Sequence, residues 1–215
     1  MLNIILRNYI NMETDKNDEY SGMTIQKKPS ETIQPLNSKW VFWYASRKEQ
    51  DHHIIYDERL KKIAEFNDLK SFFHYYSYMK PVWEMDRNLD LSLFKDGYKP
   101  CWESCKDGGC WFIRFKKGDD LKEIDIVWEN MLISLVTEQF EEANTLGAVL
   151  SLRGRETILE LWFNYFKYEQ IKAGLLKKME SILGLSKNTV IYFKDNEKAM
   201  QDNSTLRNAE TYVKK

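Results

Sequence analysis

Seven short runs rich in β-branched and aromatic residues constrain the fold of this chain most. They read SKWVFWYAS, IAEF, LSLF, WFIRF, GAVLSLR, TILELWF and TVIYF, and they lie between residues 38 and 193. Runs of this length and composition are typical of β-strands. Short turns join most of them, which favours antiparallel pairing.

Three amphipathic helical patterns lie between the strands. The predicted helices begin after Asn67 as a cap, cover 121–140 behind Asp120, and cover 167–183 with a stop at Gly184. The first places Leu69, Phe72, Phe73 and Tyr76 on one face. The pattern predicts an antiparallel sheet that packs all three helices on one face and leaves the other face free.

Composition sets the organisation of the chain. The 215 residues are 43% hydrophobic, which fits one packed domain. We predict that this domain covers residues 35–215 and that residues 1–34 form a mobile N-terminal tail. No apolar run is long enough to span a membrane, so a cytoplasmic protein is expected. The net charge of −1 provides no bulk positive field for nonspecific DNA binding, so any anion site must be a local patch.

Alternation along two strands predicts which side chains lie on the face without helices. Ser151 and Arg153 lie opposite the apolar residues of GAVLSLR, and Glu160 and Trp162 lie opposite the leucines of TILELWF. Arg155, in the turn between these strands, adds a second guanidinium nearby. An aromatic ring and two cations are therefore expected on the same face.

The segment KPCWESCKDGGCWFIRF, residues 99–115, joins Trp102 to Glu103 and contains all three cysteines. Three cysteines cannot all pair within one chain, and their spacing matches no zinc motif. We interpret them as reduced thiols. A metal site completed by His52 and His53, or a catalytic cysteine, is the competing interpretation.

Trp102, Glu103, Trp162 and the two arginines suit an unpaired nucleobase with a phosphate chain. A base stacks on an indole ring, one carboxylate matches the two N–H donors of guanine, and arginine binds phosphate through two hydrogen bonds. A methyl group on N7 would make the base cationic and strengthen stacking. The competing interpretation is that the Trp102–Glu103 pair belongs to the core.

The order of motifs resembles the eukaryotic translation initiation factor 4E family, which binds the 7-methylguanosine cap of mRNA. The matching stretches are PLNSKWVFWY (35–44), FNDLKSFF (66–73), LSLFKDGYKPCWE (91–103), GGCWFIRF (108–115), GAVLSLR (147–153) and LELW (159–162). The resemblance implies an α+β fold, a curved antiparallel sheet of about eight strands with three helices on its convex face and a ligand slot on its concave face.

The resemblance also implies roles for single residues. The stacking Trp and the guanine-reading Glu fall on Trp102 and Glu103, and the Trp that contacts the N7-methyl group falls on Trp162. The phosphate-contacting Arg falls on Arg153, and Arg155 lies at a nearby basic position, so both are expected to hold the phosphates. The second stacking ring, usually Trp, falls on Tyr56.

Several departures are similar to the divergent branch called the 4E-homologous protein. They are Tyr56 itself, the triplet WEN at 128–130, DNSTLRN at 202–208 and Ile158 in place of a phosphate-binding Lys. Cys110 also stands where a basic residue is usual. We therefore predict weaker cap affinity than in the main branch, by roughly 1.5–3 kcal/mol, the value of one charge-assisted hydrogen bond.

The first helix carries more apolar surface than one sheet face can bury, which predicts a partner there. In the family a helical peptide binds at positions that fall on Pro35, Leu69, Phe73, Ile133 and Glu138. The competing interpretation is a helix covered by the N-terminal tail.

The functional hypothesis is a cap-binding protein without enzyme activity, cofactor or metal. It would regulate translation, as a repressor or selective regulator, through the helical 4E-binding motif of a partner protein. The main alternative is a general initiation factor that recruits the initiation scaffold protein to capped mRNA. Two further hypotheses are an enzyme that acts on the cap, a hydrolase or nucleotidyl transferase, and a scaffold that has lost its ligand. An enzyme would need clustered carboxylates or a positioned nucleophile, and neither is visible in the sequence.

Overall fold

An open eight-stranded antiparallel sheet is the frame of the molecule. The computed structural model describes residues 34–48, 50, 53–140, 144–164, 169–185 and 189–213. The strands are β1 (Pro35–Ser46), β2 (Leu60–Asp68), β3 (Leu89–Lys95), β4 (Gly108–Lys116), β5 (Thr145–Leu152), β6 (Glu156–Asn164), β7 (Val190–Asp195) and β8 (Glu210–Val213). Their order in the sheet is β2-β1-β3-β5-β6-β4-β7-β8, which leaves β2 and β8 as the edges.

Five α-helices and two 3-10 helices accompany the sheet in the described part of the chain. The α-helices are α1 (Tyr56–Arg59), α2 (Leu69–Ser77), α3 (Leu121–Val136), α4 (Glu169–Ile182) and α5 (Asn196–Asp202), and the 3-10 helices are Val82–Glu84 and Trp102–Cys105. The three longest helices lie where the periodicity predicts them. The sequence pattern does not predict the short helices α1 and α5 or the edge strand β8, because each is too short to show a hydrophobic period.

One face of the sheet carries the aromatic core beneath α2. The ring of Phe66 on β2 lies 5.5 Å from the rings of both Phe42 on β1 and Phe72 on α2, centroid to centroid. Phe42 and Phe72 are fully buried. Burying side chains of this size is the largest favourable contribution available to a sheet and helix pair, so these rings fix α2 on this face.

The opposite face of the sheet also carries buried side chains. Its buried residues form one group, called here the slot cluster: Phe94, Cys105, Cys110, Phe112, Leu146, Val149, Ile158 and Trp162. Half-buried side chains pack on this cluster: Trp43, Tyr98, Trp102, Tyr192, Leu206 and Ala209. An apolar sheet face of this size would be costly in water, and these loop and strand residues cover it.

The ends of the predicted helices shift for local reasons. Asp68 caps α2, rather than Asn67, because its Oδ1 accepts from the backbone N–H of Ser71 at 2.8 Å. Helix α3 ends at Val136 and not at 140, and Glu138 beyond it has a φ of 54°. Gly184 follows α4 with a φ of 62°, as expected for a helix stop.

Two sequence predictions, the N-terminal tail and the absence of a membrane span, can be compared only with the described residues. Residues 1–33 of the predicted tail lie outside the described residues. Within the described ranges, no helix has both the length and the apolar character that crossing a membrane requires.

Candidate functional site

Trp102 and Glu103 open the 3-10 helix that follows β3 and its turn. Trp102 is half-buried against the slot cluster, whereas Glu103 is exposed. Two hydrogen bonds hold this segment: the backbone N–H of Lys99 donates to Ser104 Oγ at 3.0 Å, and Asn196 Nδ2 donates to the carbonyl of Cys105 at 2.8 Å. The indole is therefore fixed on the sheet with a carboxylate beside it in solvent.

Trp162 lies on β6 within the slot cluster, on the face that strand alternation predicts. Only 3% of its surface is exposed, and its ring meets Phe94 edge to face at 5.6 Å. Its Nε1 donates to Glu160 Oε2 at 2.7 Å. Burial raises the pKa of the Glu160 carboxyl to about 7, although the bond from Trp162 acts in the opposite direction.

Tyr56 begins α1 and points its hydroxyl group at a buried acid. The hydroxyl donates to Asp90 Oδ2 at 2.8 Å, and the guanidinium of Arg47 lies 4.3 Å from the ring centroid. Burial, with Asp90 adding to it, raises the pKa of the Tyr56 hydroxyl well above its usual value. An ion pair of 2.8 Å between Lys99 Nζ and Asp57 joins this segment to the one that carries Trp102.

Asp90 is the centre of a buried polar network on β3. Its Oδ2 also accepts from Arg47 Nε at 2.6 Å, and its Oδ1 accepts from Ser151 Oγ and Arg153 Nη1, both at 2.7 Å. Burial alone would raise the pKa of this carboxyl, but Arg47 and Arg153 outweigh it and hold the pKa below its usual value. Asp90 is therefore a carboxylate that holds both arginines at one end of the slot face.

Arg155 is more exposed than Arg153. It lies in the turn between β5 and β6, and its carbonyl accepts from the backbone N–H of Lys117 at 3.0 Å. Arg153, by contrast, has 27% of its side chain exposed, since Asp90 holds one of its nitrogens. The two guanidinium groups thus have different freedom to meet an anion.

The structure brings the predicted residues together in two groups. Trp102 packs on the slot cluster that contains Trp162, while Tyr56 and Arg153 share Asp90 as a partner. Such an arrangement supplies stacking surface, an exposed carboxylate and cations on neighbouring segments. These are the groups that a purine nucleotide requires.

Sequence reasoning missed Asp90, Arg47 and Trp43 as members of the site, and it placed Glu160 on this face without giving it a role. Strand alternation could have found Asp90, because it shares a face of β3 with Phe94 of the slot cluster. Trp43 packs on the slot cluster, and its buried Nε1 has no hydrogen-bond partner among the described residues. It is a further aromatic side chain at this face.

The predicted partner-peptide residues lie on or beside β1, α2 and α3. Pro35 opens β1 opposite Asp68, and the carbonyl of Gln34 accepts from the backbone N–H of Leu69 at 3.0 Å. Glu138 accepts from Asn37 Nδ2 at 2.8 Å and from Ser38 Oγ at 3.1 Å. Pro35, Leu69 and Glu138 therefore lie around the start of β1.

The two remaining peptide residues lie on α2 and α3. Phe73 is half-buried with its ring 5.0 Å from Phe72, and Ile133 is 5% exposed. Tyr75 and Tyr78 are exposed at the same helix and its end, Tyr78 at 79%. Helix α2 thus keeps aromatic surface in contact with solvent.

The three cysteines are all buried free thiols. Among the described residues, no group of three or more His, Cys, Asp or Glu side chains is placed to hold a metal. His52, one half of the competing metal site, lies outside the described residues.

Comparisons with known proteins agree on one family. The model of the family described as Eukaryotic initiation factor 4E matches residues 35–211. The chain is 30% identical over 211 residues, 94% of its length and 93% of the relative's, to "Eukaryotic translation initiation factor NCBP" of Arabidopsis thaliana.

Two solved structures are similar in fold. One is a complex of C. elegans eIF4E-3 with the 4E-binding protein Mextli and cap analog, with a TM-score of 0.72 and 22% identity, covering 79% of this chain and 96% of that one. The other is a schistosome eIF4E complexed with m7GpppA and 4E-BP, with a TM-score of 0.71 and 25% identity, covering 86% of this chain and 98% of that one. The similarity confirms the curved antiparallel sheet with helices that the sequence predicted.

Proposed function

This chain belongs to the eukaryotic initiation factor 4E family, and from that premise we propose that it binds the 7-methylguanosine cap of mRNA on the slot face. Trp102 and Tyr56 stack on the two sides of the base, Glu103 accepts from its N1 and N2 donors, and Trp162 contacts the N7-methyl group. Arg153 and Arg155 bind the phosphates. The chain acts by binding, in the cytoplasm, without enzyme activity of its own.

The observation that carries this proposal is the position of Trp102. Its indole packs on the cluster that contains Trp162, while Glu103 remains in solvent beside it. The Lys99–Asp57 ion pair brings the Tyr56 segment close to the Trp102 segment. A base stacked on Trp102 would therefore meet an acceptor for its edge, and solved relatives are described as complexes with a cap analog or m7GpppA.

Fluorescence titration tests the proposal. 7-Methyl-GTP should quench the tryptophan fluorescence of the wild type strongly and GTP much less. Trp102→Ala should raise the dissociation constant by roughly 5- to 150-fold, the equivalent of about 1–3 kcal/mol of stacking. Glu103→Gln should raise it by roughly tenfold or more, since the amide group cannot accept from both donors.

A second Trp–Glu pair provides matched controls. Trp83 and Glu84 also lie on a 3-10 helix, Val82–Glu84, and both are exposed. Trp83→Ala and Glu84→Gln should leave the affinity for 7-methyl-GTP within about twofold of the wild type, because neither residue lies on the slot face. If these variants lose as much affinity as the Trp102 and Glu103 variants, the assignment is wrong.

We also propose that a helical 4E-binding motif binds around α2 and the start of β1, and that the chain regulates translation through it as a repressor or selective regulator. Exposed aromatic surface on α2 supports the site, and solved relatives are described with a 4E-binding protein. Leu69→Glu should abolish peptide binding, whereas Lys70→Glu, one residue away and exposed, should not. Tighter binding of an initiation-scaffold peptide than of a repressor peptide would favour the general initiation factor instead.

The division of the chain follows the same proposal. Residues 35–215 form the single cap-binding domain, and residues 1–34 precede it as a tail. A protein that begins at residue 34 should keep the affinity of the full chain for 7-methyl-GTP.

A further inference from the structure

A cavity lies at the end of the slot face, beside the arginines assigned to the cap phosphates and away from the residues assigned to the base. Its volume is about 240 Å³, and it is formed by the turn between β5 and β6, the segment between β4 and α3, and Arg87 before β3. The lining residues are Arg87, Lys116, Lys117, Gly118, Asp119, Leu121, Arg153, Gly154, Arg155, Glu156 and Thr157. The cationic side chains among them outnumber the acidic ones. We call this cavity the basic pocket.

The two acids in the basic pocket are already engaged. Glu156 Oε2 accepts from Arg114 Nε at 2.7 Å, and Arg114 does not line the pocket. Asp119 Oδ2 accepts from the backbone N–H of Lys116 at 2.7 Å. Arg114 thus compensates the charge of Glu156, which leaves the pocket with an excess of positive charge.

Three of the cations have no acidic partner among the residues that the structure describes. They are Lys116, Lys117 and Arg155, and all three are exposed. Arg87 donates from Nη1 to the hydroxyl of Thr157 at 3.0 Å, which places its guanidinium at the pocket wall. Cations that line a concave site without an ion-pair partner attract an anion.

The basic pocket is continuous with the proposed phosphate site. Arg153 lines the pocket while its Nη1 holds Asp90 on the slot face. The backbone is also fixed here, since the N–H of Lys117 donates to the carbonyl of Arg155 at 3.0 Å and the N–H of Arg153 donates to the carbonyl of Glu156 at 2.9 Å. An anionic chain that reaches Arg153 is therefore already at the pocket.

The chemistry of the basic pocket suits a phosphate group. Its volume is below the roughly 300–1,000 Å³ of a site for a drug-sized molecule, and its polar lining offers guanidinium and ammonium donors. Arginine binds phosphate through two parallel hydrogen bonds and lysine binds it as a point charge. Contacts of this kind position a nucleic acid without reading its sequence.

We propose that the basic pocket binds a phosphodiester of the RNA chain that follows the cap. The inference rests on the proposed cap-binding function and extends it: the protein contacts the first transcribed nucleotides as well as the cap. Capped RNA consequently binds more tightly than the cap alone, and the gain depends on salt but not on RNA sequence.

The test compares ligands of increasing length on the full chain. The ligands are 7-methyl-GTP, a capped RNA of about ten nucleotides, long enough to reach past one phosphate contact, and the same RNA with an uncapped 5′-triphosphate. The variant is Lys116→Gln with Lys117→Gln, both outside the proposed cap contacts. The control is Lys80→Gln with Lys177→Gln, which removes the same charge from exposed lysines that do not line the pocket.

In the wild type, capped RNA should bind several-fold more tightly than 7-methyl-GTP. The Lys116/Lys117 variant should lose most of this gain, about fivefold or more, and the slope of log affinity against log salt for both RNAs should become shallower by about 0.7 per lost phosphate contact. Its affinity for 7-methyl-GTP should stay within about twofold of the wild type. The control variant should behave as the wild type with all three ligands.

Three results would overturn the inference. One is equal affinity of the wild type for capped RNA and 7-methyl-GTP. The second is an equal loss in the control variant, which would show a general charge effect. The third is specific binding of inorganic phosphate, at constant ionic strength, by a wild type that gains nothing from RNA, which would assign the pocket to a free anion.

The proposed function fails separately. If 7-methyl-GTP does not bind the wild type, cap binding is wrong, and the inference in its cap-linked form is overturned with it. If 7-methyl-GTP binds and RNA adds nothing, only the inference is wrong.

Discussion

The carboxylate of Glu160 accepts a hydrogen bond from the indole nitrogen of Trp162 at 2.7 Å, with both side chains buried on the same face of β6. This bond fixes the orientation of the ring that we assign to the N7-methyl group. It also places an ionisable group beneath the slot, where burial has the largest effect on its pKa, followed by the Trp162 bond and then by Asp90, Arg153 and Arg47. Glu160 is thus the group on the slot face whose titration near neutral pH can be tested.

Glu160→Gln should remove a pH dependence of stability. Burial raises the pKa of Glu160 from 4.5 to about 7 in the folded chain. The folded state therefore binds more protons than the unfolded state between these values, so the free energy of unfolding falls as pH rises through this window. The contribution of Glu160 to the stability of the wild type should be smaller at pH 8 than at pH 5 by up to about 3 kcal/mol.

Urea denaturation of the wild type and Glu160→Gln from about pH 5 to about pH 8, which spans most of this window, measures the difference. The amide oxygen of the Gln side chain still accepts from Trp162, so the variant keeps the hydrogen bond and loses only the titration. The unfolding free energy of the variant minus that of the wild type should increase as pH rises. Parallel curves for the two proteins would contradict the raised pKa.

Asp90→Asn should destabilise the fold by roughly 1–3 kcal/mol, the cost of leaving a buried charged partner unsatisfied. Asp90 holds Arg47, Arg153, Tyr56 and Ser151, and its own side chain is 1% exposed. Arg47 and Arg153 remain partly solvated, so the loss of stability should be smaller than the loss expected when one partner of a fully buried ion pair is removed.

Ser151→Ala provides the comparison for Asp90→Asn. It removes one neutral donor from the same carboxylate and should cost about 1 kcal/mol. Chemical denaturation measures both variants. An Asp90→Asn protein as stable as the wild type would show that the network contributes nothing.

The three thiols should react only when the chain unfolds. Burial raises the pKa of Cys105 to about 12, raises that of Cys110 well above its usual value, and also raises that of Cys101. Because the thiolate is the reactive form, a pKa near 12 reduces its population at neutral pH on the order of a thousandfold relative to an ordinary thiol.

Reaction with a chromogenic disulfide reagent at mildly alkaline pH measures these thiols. Native protein should release colour slowly, at the rate of unfolding or local opening, and protein unfolded in guanidinium chloride should react completely at once. Rapid reaction of Cys105 or Cys110 in the native protein would contradict their burial. A stable dithiol–metal site would instead appear as metal-dependent protection.

Hydrophobic pattern predicts the frame of this fold because strands and long helices repeat their apolar residues with a fixed period. Trp162 lies on the slot face of β6, opposite the leucines of that strand, as alternation requires. The N-cap of α2 is Asp68, one residue after the predicted Asn67. The sequence cannot distinguish the two positions, because Asn and Asp are both favoured N-cap residues. The edge strand β8 has four residues and offers no period to read.

The site is predictable only in part. Trp102 and Glu103 stand out as residue types in a motif, but the Asp90 network depends on which strands pair. Asp90 and Ser151 are 61 residues apart in sequence and meet because β3 pairs with β5. The packing of half-buried aromatic side chains on the slot face likewise depends on tertiary contacts.

Tyr56→Phe and Tyr56→Ala should separate the two uses of this side chain. The hydroxyl bonds to Asp90 and the ring lies against Arg47 in the structure, whereas our proposal assigns the ring to the base. Tyr56→Phe should lower the unfolding free energy by about 1 kcal/mol and leave the affinity for 7-methyl-GTP within about threefold of the wild type. Tyr56→Ala should in addition weaken binding roughly 5- to 150-fold, through the loss of one stacking surface.

Isothermal titration with 7-methyl-GTP, beside denaturation of the same variants, measures both effects. An Ala variant that binds as well as the Phe variant would assign the second stacking ring to another residue, and Trp43, half-buried on the slot cluster, would be the next to test.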